Sequence, residues 1–520
     1  MKSFNFGTIA GALTFTLALA IPVQVARAAE PQTAPRINVI LWFDTEDYLL
    51  PADDDAAKRL ARLLTERGIR ATFKVVGEKA RTLERRGRTD VIQALQRHSI
   101  GYHANYHSVH PTPTEYLADC GVLDGIAEFA RREGGGAADV RRIFGVPTLS
   151  CYGQPGSSWA PQAMEALEQI GVAPSGVPCY VDEGNHVELN EKPFWFANTL
   201  TVYHMGDNYT RMELHDPAAV APAKEKFSAI ASRLAREDGG GLISIFYHPC
   251  EWVHQTFWDG VNFAHGRNPP REQWKAPPQL PAEETEAAFT RFAEYIDYIR
   301  AVPGVRFVTA SDLPALYPDR VRSEGATSEE LQQLAGGILK HREVGLGFQV
   351  IGGKAFSVAD QFELLTLAVG QWIDGAKPAT VSKTTGLFGP GSEPPPARED
   401  SRLDWFAFRD AARDVRDFVQ TQRRVPARVF IGPDPVPPAD FLVALAGACV
   451  FHNEHGRLPT SEGVGLGRNT ALVTARYVAQ DNAKLFGDWV IHRSGFRAPK
   501  LLELARLETW SLKPALVAVH

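Results

Sequence analysis

One stretch limits the fold more than any other. Residues 37–43, Ile-Asn-Val-Ile-Leu-Trp-Phe, form an apolar run of strand length, and they lead directly into Asp44-Thr45-Glu46-Asp47. An apolar run this short, bounded by polar residues, reads as a buried strand. Carboxylates crowded at the end of a buried strand repel one another unless a cation or water compensates. The plainer reading is a solvated acidic turn, helped by Asp53-Asp54-Asp55 just downstream. Those three aspartates precede an amphipathic run over residues 56–67, where acids suit a helix N-terminus.

The pattern then repeats. Residues 69–76 read as a second strand closed by Gly77, residues 90–96 as a helix, and residues 99–103 as a short third strand. Strand and helix alternating over brief connections imply parallel β/α units, in which functional groups gather at the C-terminal strand ends. Asp44 and Asp47 lie at one such end; His103 and His107 lie at another. Spacing of i and i+4 on a helical turn puts two imidazoles on one face. A catalytic zinc takes three protein ligands and keeps an open position, so the pair calls for a third ligand elsewhere. An isolated H-x-x-x-H is more often a pair of polar loop residues. His110 leaves a second pairing open, His107 with His110.

Further along, residues 140–146 are strand-like, 152–159 a turn-rich loop, 161–170 a helix, and 193–205 aromatic-rich and β. Residues 241–247 form an apolar strand ending in His248-Pro249-Cys250-Glu251, which places another histidine at a strand end. An amphipathic helix over 283–300 and a last strand over 305–309 complete the series. The glycine runs at 134–136 and 239–241 read as loops.

The first 28 residues read as a secretory signal: Lys2, an almost uncharged apolar run over 7–20, and Ala26-Arg27-Ala28 as the cleavage signature. The run is short for a bilayer span and is closed by Pro22. Cleavage would remove Lys2 and Arg27 and no acid, taking the net charge from −6 to −8. No later apolar run is long enough to span, so a soluble protein, periplasmic or extracellular, is expected. A net acidic chain with no basic stripe argues against nucleic acid as partner. Five widely spaced cysteines, Cys120, Cys151, Cys179, Cys250 and Cys449, read as buried thiols with at most one bridge, and an odd count leaves at least one unpaired.

These motifs resemble the polysaccharide deacetylase family (NodB-homology, carbohydrate esterase family 4) over roughly residues 37–315. Residues 97–107, with Gly101-Tyr102-His103-Ala104-Asn105-Tyr106-His107, look like its second motif. Phe43-Asp44-Thr45-Glu46-Asp47-Tyr48 looks like its first motif in the Asp-x-Glu-Asp-aromatic branch, and Phe246-Tyr247-His248-Pro249-Cys250-Glu251 like its fifth. The resemblance implies a distorted (β/α) barrel, usually of seven strands. It implies a divalent metal, most often zinc, on His103, His107 and one carboxylate, Glu46 or Asp47. Asp44 would be the general base and His248 the general acid. The family's third motif carries an arginine that orients the base. Gly153 stands in its place, so Asp44 needs another partner. No stretch is matched to the fourth motif. Tyr48, Trp159, Trp195, Trp252 and Trp258 lie near the expected rim, and core packing is the ordinary role for each.

The expected domains are the signal peptide 1–28, a linker 29–36, the barrel 37–320, a polar linker 321–345 and a smaller, mainly α-helical duplicated domain over 346–520. The duplication is visible in Ile351-Gly352 with Ala359-Asp360, echoed by Ile431-Gly432 with Ala439-Asp440. The expected function is a secreted metal-dependent hydrolase removing N-acetyl groups from a cell-envelope or extracellular polysaccharide. The competing readings are a non-catalytic glycan-binding protein on the same scaffold and a hydrolase of a small amide. A closed, small pocket would point to the last.

Overall fold

The computed structural model describes residues 37–518 except 185, 191, 204, 205, 238, 384, 385, 400 and 401. The expected signal peptide and the linker at 29–36 lie outside the described residues. No described helix is long and apolar enough to cross a membrane.

The first part of the chain runs β1 (Ile37–Thr45), α1 (Pro51–Glu66), β2 (Thr72–Val75), α2 (Gly77–Arg85), α3 (Thr89–Leu95) and β3 (Ser99–Tyr102). It continues α4 (Pro113–Leu117), α5 (Val122–Phe144), α6 (Pro161–Ala166), β4 (Cys179–Asp182), β5 (Phe194–Phe196) and β6 (Thr199–Tyr203). Then come α7 (Val220–Leu234), β7 (Gly241–Tyr247), α8 (Trp258–Phe263), α9 (Ala282–Ala301) and β8 (Val305–Val308). Every residue of β1 is buried, as its unalternating composition requires. The strand order is β3-β2-β1-β7, all parallel, with β8 also paired along the first half of β1. Tyr152 then bridges Tyr102 to Tyr180 on β4. β4 pairs with β6, β6 with β5, and β5 with a terminal strand, Lys513–Pro514.

Closure differs from the expected barrel. Among the described residues no ladder carries β5 or β6 round to β7; a single bridge, Tyr209 to Ser244, reaches β7 from outside the main series. Residues 140–146 are not a strand: 140–144 are the last turn of α5, Gly145 caps it, and Gly134-Gly135-Gly136 lie inside that helix. Val122, Gly125, Phe129, Glu133, Gly136, Val140 and Phe144 are buried along it, spaced at three and four as one helical face demands, with Ala137 beside them.

A second apolar core follows. α10 (Leu313–Leu316) still packs with Ile40 and Trp42 of β1; the second core is built by α11 (Arg320–Glu324), α12 (Ser328–His341), α13 (Val358–Ile373), α14 (Trp405–Gln422) and α15 (Pro438–His455), chiefly α12–α15. The duplication is structural: the hairpin Gln349–Ile351 with Lys354–Phe356 precedes α13 as Val429–Ile431 with Asp434–Val436 precedes α15. Trp372 and His452, eighty positions apart, stack on each other at 4.1 Å and 8°. Two expectations are corrected here. Residues 321–345 are not simply a linker, because α12 places Leu331, Leu334, Ala335 and Ile338 in this core. The stretch 346–520 is not one helical domain, because its final part returns: Val478, Phe486, Leu501, Leu502, Ala505 and Leu512 complete the first core, and α16 (Pro499–Glu508) packs on α6. All five cysteines are free thiols, so the structure has no bridge.

Candidate metal centre and active site

Side chains alternate along extended chain with a period of two. Asp44 and Glu46 therefore share one side as β1 runs out, and Thr45 and Asp47 the other. Asp44 Oδ1 lies 3.5 Å from His103 Nδ1, and its Oδ2 lies 3.7 Å from His248 Nε2. Glu46 Oε2 lies 2.8 Å from His107 Nε2 and 3.5 Å from His103 Nε2. Asp47 faces away. Its Oδ1 accepts from Leu49 N at 2.8 Å, and its Oδ2 sits 3.0 Å from His254 Nδ1. Of the two candidate carboxylate ligands, only Glu46 joins the histidines; Asp47 is corrected to a support of the turn beneath them.

His103 follows β3 directly, but His103 to His107 do not form a helical turn. Ala104 (φ 64°) and His107 (φ 61°) are left-handed, and the loop folds back so that the two rings stand 5.0 Å apart. Non-glycine residues in this region are strained, and a surrounding structure that fixes them is typical of functional loops. His103 Nδ1 is 2.9 Å from Gly153 O. A carbonyl only accepts, so Nδ1 carries the hydrogen and Nε2 presents its lone pair. His110 pairs with Glu115 at 2.7 Å instead, so the alternative pairing of His107 with His110 is not the one assembled.

Glu46, His103 and His107 are all buried and can bring one ligand atom each within 4.8 Å of one another. Among the described residues His103 Nε2 and His107 Nε2 are buried with no well-directed hydrogen bond, although Glu46 Oε2 is close to both. Orphaned buried nitrogens are costly unless something fills the space between them. Two imidazoles and one carboxylate form a donor set suited to zinc or a similar divalent ion. The residues thus fit the expected cation.

Two residues not singled out in the sequence complete the site. Lys74 is the cross-strand neighbour of Asp44 in the β1–β2 register. It is fully buried, with Nζ 2.9 Å from Asp44 Oδ1 and 2.9 Å from Asp182 Oδ2 at the end of β4. Burial alone would push the lysine pKa down, but the two carboxylates outweigh it and hold the ammonium charged. Gly153 explains itself here: a Cβ at that position would overlap Lys74 Nζ. The cation that holds Asp44 comes from β2, and the loop at 153 must stay bare to admit it. Opposite, His248 Nδ1 lies 2.8 Å from Glu251 Oε1, and Glu251 Oε2 accepts from Arg211 Nη2 at 2.5 Å. Burial opposes charge on His248, yet the Glu251 hydrogen bond and the charges of Glu46 and Asp44 raise its pKa to about 10.

No family model matches the sequence, and no curated protein matches it. Solved structures do. A Mycobacterium smegmatis protein assigned to the polysaccharide deacetylases is similar at 16% identity, over 55% of this chain and 92% of that one, with a TM-score of 0.34. A family 4 carbohydrate esterase from Streptomyces lividans, solved with acetate, is similar at 14% identity over 52% and 90%, with a TM-score of 0.25. A pseudoenzyme of the same family from Bacillus anthracis is similar at 9% identity over 53% and 65%, with a TM-score of 0.27. Likeness this low leaves the chemistry to be read from the side chains.

Those side chains line a cavity of about 230 Å³. Of the residues already named, Asp44, Glu46, His103, His107, Asp182 and His248 face it; Gln154, Gly156, Glu183, Phe257, Asp259, Trp489 and Val490 complete its walls. Tyr48, Trp159, Trp195, Trp252 and Trp258, the aromatic residues near the expected rim, are all buried in the packing beneath. The aromatic rings that face the cavity are Phe257 and Trp489. The first stood between two noticed residues; the second lies more than two hundred residues away, where no local pattern ties it to a strand end.

Proposed function

We propose that the protein is a divalent-metal-dependent hydrolase of the polysaccharide deacetylase type that removes an N-acetyl group from a carbohydrate. The observation that carries this is the convergence of Glu46, His103 and His107 between Asp44 on one side and His248 close by. A divalent cation held by Glu46, His103 and His107 would supply Lewis acidity toward the amide carbonyl and the attacking water. Asp44, held by Lys74, takes the proton from that water. His248, kept protonated by Glu251, gives a proton through Nε2 to the departing nitrogen. Zinc as the ion, a glycan of the cell envelope as substrate, and a secreted location belong to this reading through the motifs and the N-terminal pattern.

Elemental analysis of the purified protein should find about one divalent ion per chain, and acetate should be released from N-acetylglucosamine oligomers. Asp44→Asn should keep the ion and lose the release. A metal-loaded protein inert on every acetylated sugar tested would overturn the assignment. One observation favours a second reading, hydrolysis of a small N-acyl compound. The cavity is smaller than the roughly 300–1,000 Å³ usual for pockets that enclose drug-sized ligands.

A further inference from the structure

Trp489 is the part of the cavity wall that the strand-end chemistry does not require. Its indole Nε1 donates to Asp259 Oδ2 at 3.1 Å. Its ring meets His107 edge-on at 5.6 Å. It also lies over Gly156, where a Cβ would overlap the indole. The tryptophan thus spans from the loop at 154–156 to the start of α8 and passes beside a metal-site histidine.

The segment that carries it is fixed, not loose. Ser157 Oγ donates to Phe486 O at 3.0 Å. His492 joins Phe486 O at 2.6 Å and Thr112 Oγ1 at 3.1 Å. His265 N and Gly266 N donate to the carbonyls of Val490 and Ile491 at 2.9 and 2.7 Å. Ile491 is buried with Tyr48, Val76, Trp258 and Phe263. A wall anchored on both flanks does not yield to a polymer lying across the site.

From this geometry we infer that Trp489 is a specificity-determining residue that blocks one end of the groove, so that the site takes a single N-acylated unit, either free or at the end of a chain, and excludes interior units of a polymer. The inference rests on the deacetylase reading for its chemistry but not for its shape. The indole of this wall supplies a flat apolar face, and Asp259 stands beside it, the combination that suits one sugar ring with its hydroxyl donors.

The test uses the full-length, metal-loaded protein and N-acetylglucosamine oligomers of defined length. Mass-spectrometric sequencing of the products should show acetyl loss only from one terminal unit. Trp489→Ala should raise interior relative to terminal deacetylation by at least about tenfold, while Trp489→Phe, which keeps the bulk, should retain the terminal pattern. Wild-type protein that deacetylates interior and terminal units alike would overturn the inference. A binding arm separates it from the hydrolase reading. Asp44→Asn is titrated with the monosaccharide and with oligomers carrying a bulky cap on one end, the other, or both. Loss of binding on capping the recognised end supports the blocking wall even if no acetate is ever released; equal binding of doubly capped and free oligomers overturns it. Comparison of the monosaccharide with the uncapped oligomer tells a free unit from a chain end.

Discussion

At the scale of single residues, the position of Lys74 carries the sharpest expectation. Its ammonium is the shared partner of Asp44 and Asp182, and all three side chains are buried. Removing one member of a buried ionic group strands the others, at a cost of about 3–5 kcal/mol. Lys74→Met combined with Asp182→Asn removes the share of that penalty that Asp182 would carry, leaving Asp44 as the one carboxylate without its lysine. This variant should fold, hold its metal, and lose about 100-fold or more in kcat, the usual span for a displaced general base. Unchanged turnover would remove Lys74 from the positioning role. For His248 the sign is set by its task. It must be protonated to donate, so activity falls as pH rises through its pKa. Glu251 raises that pKa. Glu251→Gln should therefore move the alkaline limb of kcat/KM to lower pH, by about one unit or more. A pH–rate profile that does not shift would contradict the assignment. Asp44, Glu46, His103 and His248 were legible as candidates in the sequence because they follow apolar runs, and His107 because of its spacing from His103. Lys74 was not, because a lone lysine inside a strand reads as a solvent-facing residue until a neighbouring strand supplies its partner. Glu46 and Asp47 stayed open as alternatives because either type fits a ligand; the fold brings Glu46 beside the histidines and Asp47 to His254.

At the scale of elements, His98 ties three of them together. Its Nδ1 accepts from Ala71 N at 3.2 Å ahead of β2, and its Nε2 is 2.9 Å from Ala61 O on α1, just before β3 begins. That pattern needs the neutral ring. Burial lowers its pKa from 6.5 to about 4. Between those values the unfolded chain binds a proton that the folded chain refuses. Stability from this residue is full above pH 6.5 and declines by up to about 3 kcal/mol as pH falls to 4. Denaturant midpoints at pH 7 and 4.5 should drop further for wild type than for His98→Gln; equal drops would contradict this. The strands were readable from composition because apolar runs of this length have few alternatives. The end of α5 was not, since Val140, Ile143, Phe144 and Val146 mimic a strand in a short window, and only the spacing back to Phe129 reveals the helix. The loop of His103 and His107 misled for a different reason. Spacing of four fits a helical turn, but two left-handed residues bring the same side chains together by another path.

For the whole molecule, the two apolar cores are joined by a chain that leaves the first, builds the second, and comes back. The duplicated hairpin and helix pairs were visible as a repeat, yet the return was not, because Phe486, Leu501 and Leu512 carry no mark of which core they fill. A protein ending after residue 472 should fail to fold, since it lacks side chains that occupy the interior near α6 and β5. The expected outcome is aggregated product, against a soluble full-length chain. A truncated protein with a sharp thermal transition and bound metal would show the first core to be self-sufficient. The same return sets an order of events during synthesis. The ribosome delivers Asp44 early and Trp489 late, so a nascent chain bears the reacting groups long before it bears the wall that selects what reaches them. The proposed discrimination between substrates is in this sense a late acquisition, made when the returning segment joins the first core.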